Sequence, residues 1–427
     1  MRETAELNVS EQPHVILAPS GMPVHPVSFV LICHSYPPVL GGSEVEGQIV
    51  SDQLQKRGYR PRIVCAGGPP MPAVKEWVDP CGLRVRIYGH SQSKRWRDLV
   101  YALGVAWTLF KERDDYEVVY FLMTGLHLAF GLPMARLLGK PIVMKFSASS
   151  LVLRMRNSFL GRLELGMLRR WASHILVLNP GMVEEALEVG FEKNRIGWMP
   201  NPVDTDHFRP CSPEERIQLR RELNVGPDTP LAVFVGRLDP QKKLPWLLGA
   251  FTRVVRERPD AVLALIGDGY LRSELAQLVS SFNLDRNVIF TGRLNTSGLL
   301  KWLQAGDLIT LVSEIEGLPC ALIEAMSAGL PAVVSDIPAH TQLVDTEVNG
   351  VITKLGDQES IARGLLRVLN DPAARTRMGA ASRQRMLDTF ATSKVVDCYE
   401  TLFAESIAAD GGTLVPTALG FRPNKSS

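Results

Sequence analysis

Short apolar runs alternate with amphipathic stretches along almost the whole chain, and this alternation limits the folds open to it. Residues 27–33 read as a buried strand and 43–56 as a helix. Further strands are expected at 62–66, 118–122, 141–146 and 175–178, with helices at 97–110 and 159–171. Two prolines in Met199-Pro200-Asn201-Pro202-Val203-Asp204 then disrupt any regular element and mark a hinge. The alternation restarts after Pro210, with strands at 231–235, 262–266, 288–290, 308–312 and 332–335 and helices at 244–257, 272–280 and 359–369. Repeated β-α units specify parallel sheets covered by helices on both faces. A chain of 427 residues also exceeds one ordinary core. The expectation is an α/β protein of two doubly wound, Rossmann-like domains facing a cleft. An N-terminal domain spans 27–205 and a C-terminal domain 206–390. A last helix within 391–408 crosses back to the first domain, and disordered ends cover 1–26 and 409–427.

Composition excludes several classes. With 47 basic and 45 acidic residues the net charge is +2, so bulk charge gives no case for nucleic acid. The six cysteines are scattered with no C-x-x-C pair, which argues against a disulfide framework or zinc site and for a reducing, cytoplasmic setting. Residues 1–26 are polar and Pro-rich and show no secretory h-region. Residues 118–135 are apolar enough to imitate a membrane span, but Thr124-Gly125 breaks the run and His127 and Pro133 lie inside it. A buried strand followed by a helix explains it better.

The candidate site residues fall at strand C-termini, where open α/β sheets bind ligands. After the run Leu308-Ile309-Thr310-Leu311-Val312 come Glu316 and Glu324, eight positions apart. Pro319 suits the first turn of a helix that ends at Gly329, with Pro331 barring continuation. One carboxylate therefore lies on a loop and the other about one turn into the helix. The helix's first-turn amides form an anion site. Phe234-Val235-Gly236-Arg237-Leu238-Asp239-Pro240-Gln241-Lys242-Lys243 places Arg237 and Lys242 at another strand end. Such cations suit a diphosphate, although a lone pair of this kind also reads as solvated loop charge. No Walker loop is present, and Gly267-x-Gly269 lacks the third glycine of a dinucleotide fingerprint. Phe290-Thr291-Gly292-Arg293 ends a further strand. Gly41-Gly42, between the first strand and helix, lets backbone approach a ligand closely; Ser43 with Glu46 spells a capping box.

Together these segments resemble glycosyltransferase family 4, the nucleotide-sugar-dependent retaining glycosyltransferases of GT-B fold, over residues 28–405 and in motif order. Glu316-Gly317 through Glu324-Ala325-Met326 looks like the family's E-x7-E segment. Gly236-Arg237-Leu238 with Lys242 looks like its G-R-L-x-x-x-K segment. Asn201-Pro202-Val203-Asp204 through Phe208-Arg209-Pro210 looks like its hinge, and Gly41-Gly42 like its early glycine loop. The resemblance implies that Glu324 accepts from the ribose hydroxyls and that Arg237 and Lys242 stabilise the leaving diphosphate. Glu316 would hold hydroxyls of the transferred sugar. Backbone near Gly41, Gly42, Gly317, Leu318 and Pro319 would add donors, and the Arg293 backbone would lie near the base. It implies no cofactor beyond a UDP-, GDP- or ADP-linked sugar as co-substrate. Asp204-Thr205-Asp206 spells the D-x-D that holds a metal in some glycosyl-transferring enzymes, but it sits in the Pro-rich hinge, and no metal is expected.

Three departures stand out. Ser147 occupies the position of a histidine common in relatives, which leaves Lys145 or Ser147 as substitutes. Lys243 stands where relatives often have Gly, and Gln342 where they often have Glu. The N-terminal half would bind a carbohydrate or lipid-linked acceptor. Its basic-aromatic stretches, Ser93-Lys94-Arg95-Trp96-Arg97 and the arginines from Arg154 to Arg170, suit either solvated helix faces or peripheral contact with the inner face of a membrane. The expected activity is hexosyl transfer with retention in glycan or polysaccharide biosynthesis. A nucleotide-sugar epimerase of similar fold and a non-catalytic sugar-nucleotide-binding protein are the alternatives.

Overall fold

The computed structural model describes residues 26–38, 42–68, 71, 74–91 and 93–409. The expected disordered ends lie, but for residues 26 and 409, outside the described residues, as does Gly41. The chain divides into two compact units, one of residues up to Pro202 with those from Ser393 onward, the other Val203–Thr392.

The first unit is built on an eight-stranded sheet. Its strands are β1 Ser28–Cys33, β2 Arg60–Ala66, β3 Glu76–Val78, β4 Arg84–Tyr88, β5 Val118–Phe121, β6 Ile142–Lys145, β7 His174–Val177 and β8 Ile196–Trp198. They are ordered β3-β4-β2-β1-β5-β6-β7-β8, and only β3 runs antiparallel to its neighbour. The central strands are near-continuous apolar runs because helices cover both faces. In β1, every residue from Phe29 to Cys33 is buried. Strands β3, β4 and β8, toward the two margins of this sheet, escaped the sequence reading. In β4, Arg84-Val85-Arg86-Ile87-Tyr88 alternates basic and apolar residues, and Arg86 turns outward to ion-pair with Glu76 at 2.7 Å. The helices used below are α1 Gly42–Lys56, α2 Lys94–Lys111, α3 His127–Leu137, α4 Leu151–Arg156 and α5 Phe159–Trp171.

The second unit holds a six-stranded parallel sheet of β9 Leu231–Val235, β10 Val262–Ile266, β11 Val288–Gly292, β12 Leu308–Leu311, β13 Ala332–Ser335 and β14 Gly350–Thr353. The order is β11-β10-β9-β12-β13-β14. The segments entering and leaving this unit are bonded to each other. Val203 N donates to Phe390 O at 2.8 Å, and Thr392 N donates to Val203 O at 3.1 Å. The helix Thr392–Ala409 then contributes Tyr399, Leu402 and Phe403 to the first unit's core, with the Phe403 and Phe29 rings 4.9 Å apart.

A buried ion pair ties this last helix to the first sheet. Lys145, at the end of β6, is fully buried and bonds Glu46 of α1. Its ammonium also donates to Asn201 Oδ1 at 3.2 Å and Tyr399 OH at 3.3 Å, and Tyr399 OH donates to Glu46 Oε1 at 2.8 Å. Two sequence expectations are corrected here. Glu46 does not complete a capping box, because its carboxylate turns inward to Lys145. Lys145 cannot stand in for the missing histidine, because its charge is consumed inside the fold. Removing one partner of a buried pair strands the other's charge, at about 3–5 kcal/mol. Lys145→Met is therefore expected to destabilise the protein by that amount in denaturant unfolding, and Lys145→Met with Glu46→Leu by clearly less. A loss in the double variant equal to the sum of the Lys145→Met and Glu46→Leu losses would show that the pair is not coupled.

Candidate functional site

The second sheet grows from β9 outward to β10 and β11, then crosses back to β12 and continues to β13 and β14. The reversal lies between β9 and β12, and the crevice beyond their C-terminal ends is where such a sheet takes a ligand. The two loops bounding it are fastened together. Gln241 Nε2 donates to Ile315 O at 2.6 Å, and Glu314 N donates to Gln241 O at 3.1 Å. Lys242 Nζ bonds Glu316 Oε1 at 2.5 Å, and Lys243 Nζ bonds Glu314 Oε2 at 2.8 Å. Lys242 and Glu316 are thus brought into direct contact, and both are largely buried.

Local backbone explains how the β9 loop takes this shape. Gly267 sits at φ +136°, and a side chain there would collide with the Gly236 carbonyl, so the β10 turn packs its backbone against the β9 loop. This close approach is the structural work of Gly267-x-Gly269. Lys243 adopts φ 50°, ψ 36°, the left-handed region where glycine is unstrained, which accounts for glycine being acceptable at that position. Its ammonium also lies 5.1 Å over the Trp246 ring.

Glu324 is the fifth residue of the helix Cys320–Ser327. Pro319 is the N-cap of this helix, with extended φ −74°, ψ 101°, and not a residue of its first turn; its carbonyl accepts from Leu322 N at 2.9 Å. Glu324 is half-buried and, among the described residues, forms no ion pair. Burial pushes its carboxyl up to about 7. Gly317 is half-buried, whereas Leu318 and Pro319 are buried.

The remaining candidates lie on other segments. Arg237 is exposed and ion-pairs with buried Asp239 at 3.4 Å, a contact readily exchanged for an anion. Arg293 is exposed beyond β11, two strands from β9, so about 10 Å away along the sheet. Gly42, exposed, opens α1 in the first unit. In the hinge, Asp204 Oδ1 accepts from Asp206 N at 3.1 Å and His207 N at 2.9 Å, so this carboxylate braces its own turn.

Sequence reasoning missed His340. It is fully buried, with Nδ1 3.1 Å from Ser335 O, while Ser335 Oγ donates to Ser313 O at 2.6 Å. This chain of contacts joins the ends of β12 and β13 behind Glu316. Burial lowers the imidazole pKa to about 4, the Glu316 carboxylate opposing, so the ring is neutral near pH 7. Its signal was available: it follows β13, another strand end in the same sheet.

The first unit has its own reversal, between β1 and β5. A cavity of about 210 Å³ opens there, lined by His34, Lys94, Asp98, Tyr101, Thr124 and His127 among others. Tyr101 OH donates to Cys33 O at 2.7 Å. His127 is buried and its Nε2 lies 3.0 Å from Met123 O, so Nε2 carries the hydrogen and Nδ1 is an acceptor with no bonded partner. Burial lowers this ring to about 3, so it too is neutral. Ser147 is half-buried in the loop after β6.

Known proteins share both units. Residues 40–207 match the family model described as Glycosyltransferase Family 4, and residues 215–385 the model described as Glycosyl transferases group 1. A GDP-mannose-dependent monoacylated alpha-(1-6)-phosphatidylinositol monomannoside mannosyltransferase of Corynebacterium glutamicum is 30% identical over 192 residues, 43% of this chain and 50% of that protein. The chain thus spans about half the length of that relative. N-acetyl-alpha-D-glucosaminyl L-malate synthase of Bacillus anthracis is 23% identical over 382 residues, 87% of this chain and 96% of that one. Anabaena HepE, crystallised with UDP, superposes with a TM-score of 0.74 at 18% identity, covering 90% of this chain and 100% of its own. Sucrose-phosphate synthase of Thermosynechococcus elongatus does so with a TM-score of 0.76 at 19% identity, with the same coverage. The fold is GT-B, and the chain belongs to glycosyltransferase family 4.

Proposed function

We propose that this protein is a retaining hexosyltransferase that moves a sugar from a nucleoside diphosphate donor to a carbohydrate or lipid-linked acceptor in glycan biosynthesis. The observation that carries this reading is the Lys242–Glu316 pair at the β9/β12 reversal, with Glu324 in the helix that follows and Arg237 exposed on the β9 loop. The donor's diphosphate meets Arg237, Lys242 and the amides at the head of the helix Cys320–Ser327, which stabilise the charge that grows as the sugar departs. Lys242 is held in place beforehand by Glu316, so little reorganisation is needed when the anion arrives. Glu316 accepts from hydroxyls of the transferred sugar. The leaving phosphate oxygen takes the acceptor's proton, so no side-chain nucleophile is required, and Glu316 and Glu324 are not a hydrolytic carboxylate pair. Two cationic side chains supply the positive charge, and Asp204 is engaged by its own turn, so the reading needs no metal and no resident cofactor. The setting is cytoplasmic, with peripheral membrane contact. The mannosyltransferase relative's name specifies GDP-mannose and HepE was crystallised with UDP. A thermal-shift screen of UDP-, GDP- and ADP-sugars identifies the base, because the cognate donor raises the melting temperature most.

With the donor so identified, the two carboxylates are expected to separate kinetically. Glu316→Ala lowers kcat about 100-fold with donor KM little changed. Glu324→Ala removes hydrogen bonds to a charged acceptor and raises donor KM roughly 10- to 100-fold. Transfer by Glu316→Ala at the parent's rate would refute the catalytic assignment.

Glu324 also gives a pH signature. Its folded pKa of about 7 lies above the ordinary 4.5, so between these values the folded state holds the proton and the unfolded state does not. Stability therefore falls as pH rises through this window, by at most about 1.4 kcal/mol per unit. Glu324→Gln cannot ionise. Its melting temperature relative to the parent is expected to climb from pH 4.5 to 7 and to level off above; a flat difference would place Glu324 in an ordinary solvated setting.

A further inference from the structure

Helix α2 is apolar on two sides. One side, including Tyr101, Ala102, Val105 and Leu109, is buried against the first unit. The other carries Trp96, Val100, Leu103, Trp107 and Phe110, all exposed, the two indoles by 64% and 57%. The spacing of four, three, four and three residues puts all five on one helix face. An ordinary surface helix turns charge outward. Here α3 packs on α2 and α5 on α3, and they extend the apolar surface with Leu137, Phe159 and Leu163, exposed by 78%, 80% and 50%. Cations frame it. Arg136 of α3 and Arg162, Arg169 and Arg170 of α5 are exposed, whereas Glu164, the acid of α5, is buried. Lys94 and Arg95 begin α2 and Lys111 ends it.

We infer that this α2–α3–α5 face docks on an anionic lipid bilayer, resting on the lipid-linked acceptor of the two the reading above allows. Indoles and phenyl rings suit the boundary between headgroups and acyl chains, and the surrounding arginines and lysines suit anionic headgroups. The spacing would also fit a coiled-coil seam with a second copy. That seam needs acids beside the stripe to pair with the partner's cations. The flanking positions on α2 instead hold Arg97, Leu99, Gly104, Ala106 and Lys111, with no acid among them. No helix among the described residues is long and apolar enough to cross a membrane, so the contact is a surface one. The first turns of α2 also supply Lys94, Asp98 and Tyr101 to the 210 Å³ cavity. These three lie on the side of α2 away from the stripe, so docking through the stripe does not cover them.

The test is co-sedimentation of the full chain with phosphatidylcholine vesicles, with and without about one-third phosphatidylglycerol, at low and high salt. The parent is expected to bind the anionic vesicles at least tenfold better than the neutral ones, and to release in high salt. Trp107→Glu and, separately, Arg162→Glu with Arg170→Glu are expected to lose tenfold or more. Slow donor hydrolysis without acceptor should stay at the parent's level in both variants, which shows that they fold. Equal binding to neutral and anionic vesicles, no binding, or undiminished binding by both variants overturns the inference. So does light scattering in which Trp107→Glu converts a dimer to a monomer without altering vesicle binding, since a second copy then covers the stripe. Loss of donor hydrolysis in the parent with vesicle binding intact would instead overturn the transferase reading alone.

Discussion

The reversal of strand order between β9 and β12 is the constraint on which the candidate site depends. Connections leaving these two neighbouring strands run to opposite sides of the sheet, so no helix covers the space above their ends. Exposed loop backbone and charge collect there and need partners. The Gln241–Ile315, Lys242–Glu316 and Lys243–Glu314 contacts provide them, and they hold the two loops in one arrangement. A cation fixed in advance beside a helix N-terminus is worth more to a developing negative charge than one that must be gathered from solution, because its reorganisation has already been done during folding. Glu316 offsets part of the charge of Lys242. Arg237, exposed and paired with Asp239 at 3.4 Å, is a second cation on the β9 loop.

Two lysines at strand ends show how burial separates fold from function. Lys145 closes β6 in register with Leu176 of β7, and its ammonium is enclosed by Glu46, Asn201 and Tyr399. No solvent reaches it, so its role is to join α1, β6 and the last helix. Lys242 lies beyond its strand in a 3-10 turn, partly open, with one carboxylate partner that also faces the crevice. Both pairs are short and largely desolvated. What differs is whether a ligand could compete for the charge.

Much of this was legible in the sequence, for a physical reason. Strands covered on both faces must be almost uniformly apolar, so 231–235, 262–266 and 332–335 could be read residue for residue. The positions of Glu316, Glu324, Arg237 and Lys242 followed, because strand ends locate the loops. Features that depend on distant partners did not follow. Glu46 looked like a capping residue because its true partner, Lys145, lies 99 residues away. Pro319 fits a first turn by its φ alone, and only the path of the preceding loop makes it a cap. β4 hides because Arg86 sits among apolar neighbours, and its charge is answered by Glu76 across the β3–β4 pair and by Glu112 beyond α2. The glycine-like conformation of Lys243 is invisible in a lysine.

Net charge hides more than it reveals in this chain. A value of +2 excludes strong bulk attraction to polyanions, yet it says nothing about where the charges sit. On α3 and α5 the exposed charges are basic and the acid of α5 is buried, so this surface is locally cationic while acids elsewhere restore the balance. The same helices place apolar side chains in water, where burying them would be favourable. A chain under selection only for solubility would have little reason to keep Trp96, Trp107 and Phe159 outward beside arginines. Cationic charge adjoining apolar area at helical spacing is the pairing an anionic lipid interface rewards, because each component alone binds weakly and the two add.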